Sequence, residues 1–137
     1  MRVFFVGAVT AAVAAGAGLL AQTPSVQSGI YTTEQAGRGQ ALYEDRCVSC
    51  HGELTAFVPE MAALLADHTF KSRWQNRTVG ELFELIQVEM PQDAPGTLSP
   101  EQTADLVAYI LSGNRLPAGE APLTGDVEQL RRISFEP

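Results

Sequence analysis

The chain has 137 residues with 9 basic and 16 acidic side chains, a formal net charge of −7. At ~100–200 residues per domain this is one domain, with no room for a second catalytic unit. The acidity argues against nucleic acid or anionic lipid as partners and makes a basic protein surface the better match.

Arg2 followed by the uncharged apolar run from Val3 to Ala15 has the pattern of an export signal. Ala15-Gly16-Ala17 fits a small-x-small cleavage pattern, and Ala21 is a second candidate end. Stretched to Ala21, the run approaches the ~20 residues that span a bilayer, so retention as an anchor is the alternative to removal of residues 1–21. Either way the folded part is expected outside the cytoplasm, in the periplasm, with a membrane involved only if the segment stays. A small mature chain has little core of its own and would gain from a large apolar cofactor. Residues 22–31, polar with Pro24 and Gly29, read as a flexible lead-in.

Three helices follow in the pattern. The first starts near Thr32 or Thr33, with Thr32 and Gln35 at capping-box spacing, and runs to Cys47 with Ala36, Gly39 and Tyr43 on one face. Gly39 costs ~1 kcal/mol against Ala in a helix, which makes sense where a second helix approaches closely; a poor residue on an exposed face is the alternative. The second opens at Thr78 with Glu81 as capping partner, carries Val79, Leu82, Phe83, Leu85 and Ile86, and stops before Pro91. The third has Ser99 as cap, Pro100 at its first position, Gln102 closing the box, an apolar side from Leu106 to Leu111, and Gly113 placed to end it.

Met61 to Ala66 adds a further apolar turn. Beyond Asn114 the prolines and glycines predict a surface course before a short helical stretch near Val127 to Ile133. Sustained period-two alternation is missing, so the fold class is all-α, three main helices plus short turns with long loops that need something to wrap around.

The chain's two cysteines and one of its two histidines fall in CVSCH, Cys47 to His51. Thiols three positions apart lie on one side of a helical turn, and the imidazole follows the first thiol by a full turn. Such a turn holds a macrocycle through two thioethers while the imidazole reaches the iron, so the motif reads as a c-type haem attachment site. A zinc site would need a further donor, His68 being the candidate, and a thioredoxin-like redox pair would need a βαβ setting. A structural disulfide between Cys47 and Cys50 would close too short a loop to restrain the unfolded chain much.

A six-coordinate haem needs a second axial donor. Met90 stands between a helix and the loop PQDAPG, where Pro91 and Pro95 limit backbone freedom and Gly96 permits a sharp bend, so its thioether would be held still. Met61 and His68 are the alternatives, the first reading as core filling and the second as an exposed residue. With His51 and Met90 on the iron no position is left for oxygen or substrate, and the high potential of such ligation suits an intermediate electron carrier.

On GQALYEDRCVSCHG (Gly39 to Gly52), RTVGELFELIQVEMP (Arg77 to Pro91) and APGTLSPEQTADLVAYIL (Ala94 to Leu111), the chain resembles class I c-type cytochromes. Among these monohaem carriers it is similar to bacterial forms that partner quinoprotein alcohol dehydrogenases. The resemblance implies a cytochrome c domain over 32–113 around one haem c, with 114–137 as an extension. Cys47 and Cys50 would form the thioethers, His51 and Met90 would be the metal ligands, and Gly39 and Tyr43 would cross the last main helix near Tyr109. Trp74, with Arg73 or Arg77, is the candidate for the propionate edge; an anchor Trp in a small core is the other reading.

The implied function is single-electron transfer from an upstream dehydrogenase towards an oxidase or another cytochrome. It involves no substrate chemistry of its own, and the chain works alone or as a subunit of a dehydrogenase complex. A haem-based sensor or peroxidase-like enzyme with a labile distal ligand is the alternative. The extension either wraps the domain or docks a partner through Arg131 and Arg132.

Overall fold

Capping chemistry sets where the long helices begin. The computed structural model describes residues 23–54 and 65–137, so the segment expected to be an export signal and Met61 lie outside the described residues. Within these are six α-helices: α1 (Thr33–Arg46), α2 (Val48–His51), α3 (His68–Trp74), α4 (Val79–Glu89), α5 (Pro100–Gly113) and α6 (Val127–Leu130), with a 3-10 turn at Val26–Ser28. Pairing is limited to two isolated bridges at Ser134 among the described residues. No helix among them is long and apolar enough to cross a membrane.

Thr78 and Glu81 form the reciprocal capping box at α4, and Ser99 and Gln102 form the one at α5, each satisfying backbone donors that a helix start leaves open. Thr32 caps α1 through the Gln35 amide, but the box stays half built. The Gln35 side chain turns instead to the distant tail, donating to the Leu123 carbonyl at 2.9 Å and accepting from the Leu123 N–H at 2.7 Å. A buried amide that spans two backbone groups satisfies more than a return bond to an exposed cap would.

Helix α1 crosses α5 at Gly39. A Cβ there would overlap the Asp105 carbonyl and lie 2.9 Å from Tyr109 Cβ, so the close approach, not an exposed site, explains the glycine. Four residues on, Tyr43 packs on Tyr109 with ring centroids 5.3 Å apart, and at the outer edge Arg38 forks onto Asp105 with two 2.9 Å bonds. Helix α5 ends at Gly113 as expected, with Asn114 as the C-cap, and a Cβ at 113 would sit 2.8 Å from Leu54 Cγ. Packing against Leu54, not a left-handed helix end, selects this glycine.

The tail also differs from the expected surface course. Leu116, Leu123, Leu130 and Phe135 are all buried in the one core. Tyr31 donates to the Leu116 carbonyl at 2.6 Å and accepts from the Gly119 N–H at 2.7 Å, so the lead-in and the tail are stitched together. Helix α3 was not legible in the pattern; Asp67 caps it by accepting from the Thr69 and Phe70 amides.

Candidate functional site

Helix α1 ends at Arg46, and the chain re-enters helix after one residue. Cys50 and His51 donate their N–H groups to the Cys47 carbonyl at 3.1 and 2.9 Å, which closes the turn carrying both thiols and the imidazole. Gly52 ends it with φ 70 and ψ −177, a conformation that a Cβ would disfavour. Tyr43 donates to the Gly52 carbonyl at 2.9 Å, tying the turn to the buried α1–α5 contact.

Cys47 and Cys50 are free thiols, the first half-buried and the second exposed. Burial pushes the Cys47 thiol up to about 11, opposite to the depressed value that activates redox-pair cysteines. Among the described residues no group of three or more His, Cys, Asp or Glu side chains gathers as a metal site of protein ligands alone would require.

On another wall, Met90 is the C-cap of α4, its N–H bound to the Ile86 carbonyl at 3.0 Å. The loop beyond is braced by Ala94 N–H on the Pro91 carbonyl at 2.9 Å and by the Thr97 hydroxyl on the Ala94 carbonyl at 2.8 Å. Gly96 takes φ 70, the bend expected of it.

Cys47, Cys50, His51 and Met90 all line one cavity of about 640 Å³, within the ~300–1,000 Å³ of typical cofactor sites. Its walls are apolar, with Leu65, Phe70, Leu82, Leu85, Ile86, Leu106 and Ile110 among them, and Arg46, Arg73 and Arg77 also reach it. A flat hydrophobic macrocycle with anionic substituents fits this lining: thiols for attachment, imidazole and thioether as iron donors, cations for carboxylates. His68 is exposed on α3 and does not line the cavity.

Trp74 is buried and lines the cavity, and the Arg77 guanidinium carbon lies 4.4 Å above its ring centre, a cation–π stack. Arg77 also reaches Glu81 at 3.1 Å, so the carboxylate that completes the α4 cap holds its guanidinium.

Phe70 and Leu65 were not anticipated as lining residues, because both follow from α3 and its approach. That approach is held by buried Asn114, which donates to the Leu65 and Ile110 carbonyls at 2.8 Å each and accepts from the Asp67 N–H at 3.1 Å. An Asn just after an apolar helix signals only a C-cap, so its second duty left no trace in the pattern.

A helical fold closed around an apolar cavity that begins at C-x-x-C-H defines a class I c-type cytochrome. The family described as cytochrome c oxidase, cbb3-type, subunit III matches residues 34–110, more than half of the sequence, and the chain belongs to it. With it come covalently bound haem c and electron transfer. No curated protein matches the sequence. Among solved structures the fold is similar to a chain in the sulfane dehydrogenase SoxCD from Paracoccus pantotrophus, with 24% identity and a TM-score of 0.53. The alignment covers 81% of this chain and 58% of that one.

Proposed function

We propose that the chain is an exported, periplasmic carrier of single electrons. In this reading Cys47 and Cys50 would hold haem c through thioethers, and His51 and Met90 would be the iron's donors. When bound, the group would supply a one-electron iron couple, whose potential a methionine donor beside the histidine would raise. The chain's own residues do the rest. The apolar walls exclude water, the braced Pro91–Leu98 loop holds the Met90 sulfur, and Trp74 with Arg77 binds the carboxylate edge.

The observation that carries this reading is the gathering of both thiols, one imidazole and one thioether around a single apolar cavity. The donor is a dehydrogenase and the acceptor an oxidase or another cytochrome. A fold shared with a chain from a sulfane dehydrogenase, and a family named for an oxidase subunit, support redox proteins as neighbours.

Expression with the haem-maturation machinery, followed by a denaturing gel stained for haem peroxidase activity, tests attachment. A stained band that vanishes in Cys47→Ala/Cys50→Ala is expected, and an unpigmented wild-type band overturns the reading. In the oxidised protein a weak sulfur-to-iron charge-transfer band at the red end is expected. A high-spin spectrum instead would replace the carrier with the sensor or peroxidase-like alternative.

A further inference from the structure

The C-terminal segment ends against the back of the cavity wall. Phe135 is 0% exposed and is not among the residues lining the cavity. Its ring meets Phe70 edge-on, centroids 5.8 Å apart at 77°, and Phe70 lies 6.1 Å from Trp74, the ring under the Arg77 guanidinium. The backbone repeats the connection: Phe135 donates its N–H to the Arg77 carbonyl at 2.8 Å, and Val79 donates to the Ile133 carbonyl at 3.0 Å. Those two bonds bracket Thr78, and the first of them fixes the carbonyl next to the carbon that bears the Arg77 side chain. From the other side, Ser134 donates to the Pro24 carbonyl at 3.0 Å and accepts from the Val26 N–H at 3.1 Å, so the segment cannot slide.

We propose that Phe135 is a positioning residue for the haem's carboxylate edge, holding the Trp74–Arg77 stack in register through Phe70 and the Arg77 carbonyl. This rests on the proposed placement of that edge. The extension therefore tunes the haem site from behind. Arg131, which the sequence offered for docking, is engaged with Glu84 at 2.8 Å and Glu128 at 3.2 Å.

The physical consequence has a sign. Reduction lowers the net charge at the iron by one, so a nearby guanidinium favours the reduced form, and a guanidinium that drifts into water favours it less. Loosening the stack lowers the midpoint potential.

The test compares holoprotein of Phe135→Leu, Phe135→Met and Arg77→Gln with wild type by potentiometric titration, near-ultraviolet circular dichroism and thermal melting. Both Phe135 variants keep an apolar side chain of similar size, and they give two chances of a folded product. The chain has one tryptophan, so its sharp dichroic bands report Trp74 alone. A lowered potential and weakened tryptophan bands are expected in the Phe135 variants, with a larger fall in potential for Arg77→Gln. A lowered melting temperature with unchanged potential and bands reduces Phe135 to core packing and overturns the proposal. If Arg77→Gln itself leaves the potential unmoved, the placement of the carboxylate edge is what fails, and the inference goes with it.

Discussion

Met90 and Gly39 show how single side chains carry separate tasks. In the proposed reading the Met90 thioether would be a weak donor that favours the reduced iron, whereas a second imidazole would favour the oxidised iron. Met90→His is therefore expected to keep a six-coordinate, low-spin haem while the midpoint potential falls by more than ~59 mV, a tenfold change for a one-electron couple. Potentiometric titration checks this, and loss of the charge-transfer band should accompany it. At Gly39 two effects compete. Alanine would gain ~1 kcal/mol of helix propensity, but overpacking costs ~1–3 kcal/mol, and here the obstacle is the Asp105 backbone, which cannot rotate aside. Gly39→Ala is expected to lower the urea midpoint; a raised midpoint would show the crossing to be loose. Residues at this scale were legible where chemistry fixes a spacing, as in CVSCH, or where a costly residue stands inside a helix, as Gly39 does in α1. The Arg77–Trp74 stack was not legible: Arg73 and Arg77 stood only as candidate charges near Trp74, both reach the cavity, and the turn after α3 places Arg77 on the ring.

At the scale of elements, caps were the most readable signal because a helix start must satisfy its own amides within three or four residues. Thr78, Ser99 and Thr32 all cap where the pattern placed them. Helix α3 escaped because seven residues give too few turns for a period to emerge, and its anchor, Asn114, is far along the chain. The α4 cap carries a pH dependence. The Thr78 N–H, Arg77 and the Thr78 hydroxyl, against a smaller opposing effect of burial, hold the Glu81 carboxyl below its ordinary value of 4.5. A depressed folded value means the contribution is present above 4.5 and lost as pH falls through the folded value. Glu81→Gln should thus be less stable than wild type at neutral pH, with the gap closing in acid; urea titrations at neutral and acidic pH check it. Thr78→Ala removes the hydroxyl acceptor and should cost about 1 kcal/mol at neutral pH.

Across the whole molecule, the tail closes a core that the α1–α5 and α4–α5 contacts begin. The short helix α6 falls where the pattern placed a helical stretch, but the tail's apolar residues recur too widely for a period, and proline and glycine suggested a surface course before it, so nothing local announced that Leu116, Leu123, Leu130 and Phe135 complete the core. The closing contact is the Gln35–Leu123 pair, buried and 88 residues apart in sequence, in which one amide serves as donor and acceptor to one backbone unit. Gln35→Leu keeps the volume and adds apolar surface, so a core ruled by burial alone would gain stability from it. It also leaves the Leu123 N–H and carbonyl without partners in an interior where each orphaned group costs roughly 1–3 kcal/mol. The orphaned pair outweighs the added surface, since leucine in place of the amide gains at most the ~1.5–3 kcal/mol of one buried aliphatic side chain, and glutamine already buries most of that stem. Gln35→Leu holoprotein is therefore expected to melt earlier than wild type. Amide exchange at Leu123 should accelerate more than exchange at Val107, which lies inside α5, because the tail would open before the helices part. Equal acceleration at both positions would mean that tail and helices unfold as one unit.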